Sequence, residues 1–228
     1  MDIKSEISAC LQAYIAQTGA AANKDVLSVA TDAAMQKLHE FVALLTEWNA
    51  KMNLVSKNSL AEVWTRHVLD SAQLVAYLLP EMRRLTDIGS GAGFPALVLA
   101  ILLQALNLPA EVVLIESIGK KAAYLREAAS RLDLPNVRVI NARVENTVFK
   151  DVAADVITAR AVAALDVLCG YAAKISGRQT RALFLKGQSH AAELTEAQKH
   201  WQFASHIYPN KYSTDGVIIQ LWNIRNKK

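Results

Sequence analysis

Cysteine is nearly absent: only Cys10 and Cys169 occur in 228 residues. Two thiols so far apart, each in apolar helical surroundings, make neither a disulfide framework nor a metal-ligand cluster, and they suit a reducing compartment. Long apolar runs are missing as well. The longest, Ala96–Leu103, falls well short of the roughly 20 residues that cross a bilayer. The opening segment mixes Asp2, Glu6 and Gln12 into its apolar residues, unlike the unbroken apolar stretch of a signal peptide. The expectation is a cytoplasmic protein with no membrane partner.

Charge is modest, at 20% of residues against 52% hydrophobic, the balance of an ordinary globular chain. It is also uneven. Residues 1–80 carry 6 Lys+Arg against 8 Asp+Glu, and residues 81–228 carry 19 against 13. A basic excess confined to the later part is compatible with a polyanionic partner without requiring one.

The first 80 residues read as a helical extension. Leu38, Phe41, Val42, Leu45, Trp48 and Asn49 lie on a 3.6-residue stripe capped by Thr31 or Asp32. A second helix is expected over Leu60–Leu79, capped by Ser59 and ended by Pro80. From Arg84 the pattern alternates between strands and helices. Strands are expected at Leu85–Ile88, Glu111–Glu116, Val137–Asn141, Asp155–Ala159 and Ala182–Lys186, and helices at Pro95–Leu106, Lys120–Leu132 and Ala161–Ile175. Two closing strands, Trp201–Tyr208 and Gly216–Ile224, have only a polar turn between them. The fold class that follows is α/β: a mostly parallel, doubly wound Rossmann-like sheet over 81–228, ending in an antiparallel hairpin. The extension, 1–80, packs on that core to make one compact unit.

Glycine is scarce, nine in all, yet three of them stand at 89, 91 and 93 in Leu85-Thr86-Asp87-Ile88-Gly89-Ser90-Gly91-Ala92-Gly93-Phe94-Pro95. A strand ending in an acid, a turn whose glycines admit close ligand approach, and a proline suited to a first helical turn form a nucleoside-binding pattern. Glu116 ends the next strand, where a carboxylate can accept both ribose hydroxyls. A dinucleotide fingerprint needs a third glycine where Phe94 stands, for close packing near a pyrophosphate. Asp87 would oppose a pyrophosphate but favour a cationic ammonium. S-adenosylmethionine has an ammonium, a sulfonium and no phosphate, and it is the expected cofactor.

Other chemistries lack their residues. Methylation at a pyrimidine C5 needs a cysteine nucleophile, and both cysteines read as core. Exocyclic amine methylation goes with an Asn/Asp-Pro-Pro-aromatic turn, which does not occur. A ring nitrogen attacks with an available lone pair, so positioning and electrostatics suffice, and no acid or base is assigned. A small-molecule methyltransferase, a non-catalytic binding protein and, last, an NAD-dependent oxidoreductase stay open on the residues alone.

In sequence the chain resembles the bacterial 16S ribosomal RNA guanine-N7 methyltransferase family (RsmG/GidB). The matching stretches are Trp48–Leu54, Arg66–Ser71, Asp87–Pro95, Glu116–Lys121, Ala142–Glu145, Ala159–Ala161 and Leu185–Gly187, in family order from about residue 38 onward. Ala96 and Ala159 depart from it, where glycine and serine are usual. The resemblance implies N7 methylation of a guanine in 16S RNA, in the 530-loop region. It implies cofactor contacts at Gly89, Phe94, Val144, Glu145 and Arg160, to which Gly91 and Glu116 are added on the reasoning above. Arg66 and His67 are expected to face RNA and Lys186 to hold phosphate or the base. The partner is 16S RNA or the small ribosomal subunit. No metal and no obligate protein partner is expected, which fits a monomer. Without the resemblance, Arg66, His67 and Asp70 would read as a local ion pair on one helical face, and Trp48 and Trp64 as packing.

Overall fold

The computed structural model describes residues 1–18, 24–146 and 153–227. Its elements are α1 (Ile3–Gln17), α2 (Lys24–Asn49), α3 (Lys57–Ala61), an irregular helical stretch Trp64–Tyr77 containing the short α4 (Asp70–Ala72), β1 (Arg84–Ile88), α5 (Ala96–Ala105), β2 (Glu111–Glu116), α6 (Gly119–Arg131), β3 (Val137–Asn141), β4 (Ala154–Arg160), α7 (Leu165–Ile175), β5 (Ser176–Lys186), α8 (His190–His200), β6 (Trp201–Pro209) and β7 (Val217–Asn226). The seven strands form one sheet in the order β3-β2-β1-β4-β5-β7-β6. All pairs are parallel except β5–β7 and β7–β6. The α/β doubly wound expectation with a closing hairpin holds. No described helix is long and apolar enough to cross a membrane.

Alternation along the strands divides the core. Leu85, Val112, Leu114, Val156, Leu183 and Ile218 face α1, α2, α5 and α6. Val113, Ile115, Ile157, Ala182, Phe184 and Ile219 face α7 and α8. Successive residues of a strand point to opposite faces, so covering both faces demands the near-continuous apolar runs seen here. α5 carries this furthest: Ala96–Leu103 is buried along its whole length, pressed between the sheet and α2. The extension shares that cluster through Ile7, Leu11, Leu38, Phe41 and Leu45. Truncating such a leucine to alanine costs about 2–5 kcal/mol.

Several local expectations give way. Thr31 and Asp32 lie inside α2, whose start is Lys24, and the Thr31 hydroxyl donates to Leu27 O instead of capping. Ser56, not Ser59, caps α3, accepting from Ser59 N at 3.2 Å. The expected Leu60–Leu79 helix is broken into α3, a π-helical Trp64–Leu69, the one-turn α4 and a 3-10 turn Gln73–Tyr77. The helix expected from Ala161 begins at Leu165, because Ala161 adopts a left-handed φ of 53°. Strand β5 begins six residues before the expected Ala182. Helix α8 has no counterpart among the expected helices: its stripe is weak, with Ala197 its single buried residue.

Between β1 and β4 the strand order reverses, opening a crevice at the carboxyl ends of the strands. Open α/β sheets bind ligands at such switch points.

Candidate active site

The crevice begins with the glycine loop. Gly89, Gly91 and Gly93 have φ values of 68°, 54° and 94°, a region that costs other residues strain. Gly89 N and Ser90 N both donate to Ile115 O, at 2.8 and 3.2 Å, tying the loop to β2. A Cβ on Gly89 would stand 2.7 Å from Val162 Cγ2, and one on Gly93 2.6 Å from Leu97 Cδ1. At Gly91 a Cβ would meet no side chain. Pro95 is the N-cap of α5, one position ahead of the expected first helical turn.

Two cavities open beside the loop and share Gly89 and Val162. The smaller, about 120 Å³, lies between Ile115, Val144 and Val162, with Ser117 and Glu145 at its margin. Tyr171 of α7 donates to the Glu145 carboxylate at 3.0 Å, and Lys174 to the Glu145 carbonyl at 2.7 Å. Those bonds fix the turn after β3. Exposure notwithstanding, the Glu145 carboxyl is held below its usual range, chiefly through hydrogen bonds.

The larger cavity, about 520 Å³, is lined by the loop with Phe94, by Glu116, and by His67 and Arg160. Leu54–Ser56 and Lys121 close its rim. Asn49 Oδ1 builds that rim by accepting from Leu54 N and Val55 N at 2.8 and 2.9 Å. Glu116 is 5% exposed. Its Oε2 accepts from Gly91 N at 2.8 Å and its Oε1 from Ile118 N at 2.7 Å, leaving each oxygen a second acceptor site.

Phe94 stacks on His67, with centroids 4.8 Å apart and planes 18° from parallel, while its other neighbour is Phe41 at 5.2 Å. Neither ring nitrogen of His67 has a hydrogen-bond partner. Burial, reinforced by Arg160 and Arg66, lowers its pKa to about 4, so the imidazole is neutral at pH 7. Asp70 does not pair with Arg66 or His67. Its Oδ2 lies 3.3 Å from Arg160 Nε, both side chains being largely buried, whereas Arg66 turns to Glu62 on the solvent side. Arg160 Nη2 donates to Arg66 O at 2.7 Å, and its Nη1 is buried without a partner. Burial raises Asp70 above the usual carboxylate range, with Arg160, Asn210 and Gln73 pulling it back.

Asp87 lines neither cavity. It lies fully buried beneath the loop, accepting from Thr158 Oγ1 at 2.6 Å on Oδ1, with Oδ2 unpartnered. Burial pushes its pKa up to about 7. Lys186 also lines neither cavity. Its ammonium lies 2.5 Å from Glu193 Oε2 and donates to Ala163 O at 2.9 Å. Glu193 in turn accepts from Leu165 N at 2.8 Å, so the pair braces the 163–165 loop behind Val162. Trp48 and Trp64 are packing residues, the first against Tyr124 and the second against His39. Cys169 is fully buried, its thiol pushed up to about 12 by burial.

Of the residues expected from the sequence, Gly89, Gly91, Phe94, Glu116, His67 and Arg160 therefore meet at the larger cavity, and Val144 and Glu145 at the smaller. Arg66 lies beside the cleft, and Lys186 behind it. Val162, Tyr171 and the 54–56 rim are absent from the sequence-based set. The Asn49 turn lies within the Trp48–Leu54 stretch and is the available signal for the rim. Val162 and Tyr171 give none, being ordinary residues of an apparent helix.

A family model described as rRNA small subunit methyltransferase G (GidB) matches residues 34–215. A ribosomal RNA small subunit methyltransferase G of Caulobacter vibrioides is 44% identical over 201 residues, covering 88% of this chain and 90% of that protein. The protein of the same description from Gluconobacter oxydans is 45% identical over 186 residues, covering 82% and 92%. In fold, the chain is similar to a TehB-like SAM-dependent methyltransferase from Corynebacterium glutamicum, with a TM-score of 0.53 at 12% identity over 78% of this chain and 97% of that one. The CMeT domain of the citrinin polyketide synthase gives 0.52 at 15% identity, over 70% and 52%.

Proposed function

This chain belongs to the rRNA small subunit methyltransferase G (GidB) family, whose cofactor is S-adenosylmethionine, and from that premise we propose that it methylates N7 of a guanine in the 530-loop region of 16S ribosomal RNA. One observation supports the atom assignment: the cavity lining includes His67, with both ring nitrogens buried and unpartnered, and Arg160, with Nη1 buried and unpartnered, and no cysteine lines it. A neutral imidazole and a guanidinium N–H can hold a purine by its oxygen edge. N7 brings its own lone pair, so no proton must leave first and no base is required.

The residues fit the cofactor by chemistry. The glycines let backbone approach, Glu116 keeps an acceptor site on each oxygen for the ribose, and the narrow apolar slot at Ile115, Val144 and Val162 suits a purine ring. Asp87, beneath the loop with Oδ2 unpartnered and a pKa pushed up to about 7, would supply the charge an ammonium needs once deprotonated, the form a nearby cation favours. When bound, S-adenosylmethionine supplies an electrophilic methyl group on a sulfonium. Glu116 would then orient the ribose, Val144 and Glu145 would bound the adenine, and Arg160 would be available to the cofactor carboxylate or the base. Phe94 supports His67 against the target, and Arg66 and Lys121 meet phosphate. Lys186 acts through the 163–165 loop it braces.

The test is transfer of labelled methyl from S-adenosylmethionine to small ribosomal subunits lacking N7-methylguanine, with mass mapping of the product. One N7-methylguanosine per subunit is expected, with binding that weakens steeply as salt rises. Label on another atom would overturn the N7 assignment, and transfer to small metabolites alone would overturn the RNA reading.

A further inference from the structure

We propose that Asn210, at the tip of the β6–β7 hairpin, is a positioning residue for Arg160 and acts on it through Asp70. Arg160 is held on two sides, by Asp70 Oδ2 at Nε and by Arg66 O at Nη2, and presents Nη1 without a partner. Where Nη1 points depends on how the Asp70 carboxylate is turned. That carboxylate has a second oxygen, Oδ1, which accepts from Asn210 Nδ2 at 2.5 Å and from Gln73 Nε2 at 3.3 Å. With Oδ1 occupied, Asp70 meets the guanidinium through Oδ2 alone. Without Asn210, Oδ1 would keep only the long 3.3 Å contact from Gln73, and the carboxylate could rotate to take both Nε and a terminal nitrogen in the two-pronged geometry that arginine prefers. The guanidinium would then swing, and Nη1 with it.

Asn210 is itself fixed. Its Oδ1 accepts from Gln73 Nε2 and from Tyr212 N, each at 2.8 Å, and its backbone N donates to Gly216 O across the turn. Lys211 N donates to Gln73 Oε1 at 3.1 Å. Only one orientation of the Asn210 amide meets all of these: nitrogen toward the carboxylate, oxygen toward the two donors. A continuous chain of polar contacts thus runs from the hairpin turn, through the extension, to a side chain that lines the cleft. Buried networks of this kind hold one geometry when every member is satisfied.

The same tip has a second anchor, the side chain of Tyr212, which lies outside this chain of contacts although its backbone N belongs to it. Tyr212 donates from its hydroxyl to Glu6 Oε2 at 2.7 Å, tying the hairpin to α1. Losing it would loosen the hairpin without touching Asp70, which separates positioning from simple docking.

The kinetic part of the test rests on the methyl-transfer reading, and the spectroscopic part does not. The whole 228-residue chain, labelled with 15N-arginine, is compared as wild type, Asn210→Ala, Asn210→Ser and Tyr212→Phe, with the Arg160 Nε–H signal assigned by its loss in Arg160→Lys. Serine keeps a turn-capping oxygen but is too short to reach Asp70, so it covers the case in which alanine fails to fold. Both Asn210 variants are expected to shift or broaden the Arg160 signal, while Tyr212→Phe leaves it in place. In single-turnover methyl transfer, Asn210→Ser is expected to lose about tenfold. Added to Arg160→Ala, it should cost less than a further twofold, because its effect passes through the missing guanidinium. An unmoved Arg160 signal, equal losses in Asn210→Ser and Tyr212→Phe, or additive losses with Arg160→Ala would each overturn the proposal. A wild-type protein that transfers no methyl to small subunits would overturn the function proposed above, and the Arg160 signal would still decide the positioning role.

Discussion

The two walls of the cleft are built differently. On one, the Gly89–Gly93 loop takes its shape from its own backbone and from the strand end beside it. On the other, the stretch Trp64–Tyr77 is fixed by partners 94 and 140 residues away, Arg160 reaching Arg66 O and Asn210 reaching Asp70. The first wall is steric: its glycines occupy conformations and spaces that a side chain would spoil. The second is electrostatic: a buried ion pair and its hydrogen bonds hold an irregular helix in place. Each should therefore fail in its own way.

The largest effect is expected on the electrostatic wall. Asp70→Ala leaves Arg160 largely buried without its counter-ion, and removing one partner of such a pair costs about 3–5 kcal/mol, here toward the lower figure because both side chains keep some exposure. Urea denaturation reads it, and Asp70→Asn should recover part of the loss. If Asp70→Ala matched wild type, the pair would not hold this wall.

Next comes Gly89→Ala. Its Cβ would collide with Val162 at a left-handed φ, costing about 2–3 kcal/mol. Gly91→Ala, with open space, should cost only about 1 kcal/mol in the free protein. Pairing Gly89→Ala with Val162→Ala should restore part of the stability. Equal losses for the two glycines would mean that Val162 does not define the loop.

Glu116→Ala should weaken S-adenosylmethionine binding at least tenfold, about 1.4 kcal/mol, measured by calorimetry. It removes an acceptor and also strands Gly91 N and Ile118 N. Glu116→Gln, which keeps one acceptor oxygen, should fall between. Unchanged affinity in Glu116→Ala would remove Glu116 from the cofactor site.

The smallest effect is a pH slope. The unfolded chain binds a proton at His67 near 6.5, and the folded one only at about 4. Stability from this histidine is thus complete above pH 6.5 and is lost as pH falls toward 4. Asp87 runs the other way: its folded pKa of about 7 against 3.8 takes stability away as pH rises through that range. The two overlap, so the measurement is the difference between wild type and His67→Asn. A flatter acid limb is expected in the variant, and identical slopes would mean that His67 is not held neutral.

Much of the steric wall and of the sheet behind it is legible in the amino-acid sequence. The strand-ending acids and the three glycines declare the loop, because glycine takes those backbone angles without strain and leaves room for that approach. Continuous apolar strands announce a sheet covered on both faces. The Arg66–Asp70 spacing, by contrast, points to a local pair, and periodicity points to one helix over Leu60–Leu79. Both readings follow from neighbours three and four residues apart, and such neighbours do not decide the outcome. Lys186 reads as a residue of the active edge, yet Glu193, on a helix with almost no apolar stripe, draws it behind the loop.

The sequence by itself determined the sheet, the loop and the identity of the groups available for chemistry, since these depend on periodicity and on the conformational limits of single residues. Only the tertiary structure decided which charges meet. Asp70 finds Arg160 rather than Arg66 because burial at the junction of extension and core makes an unpaired charge costly, and which charge lies nearest there is set by the packing of segments far apart in the chain.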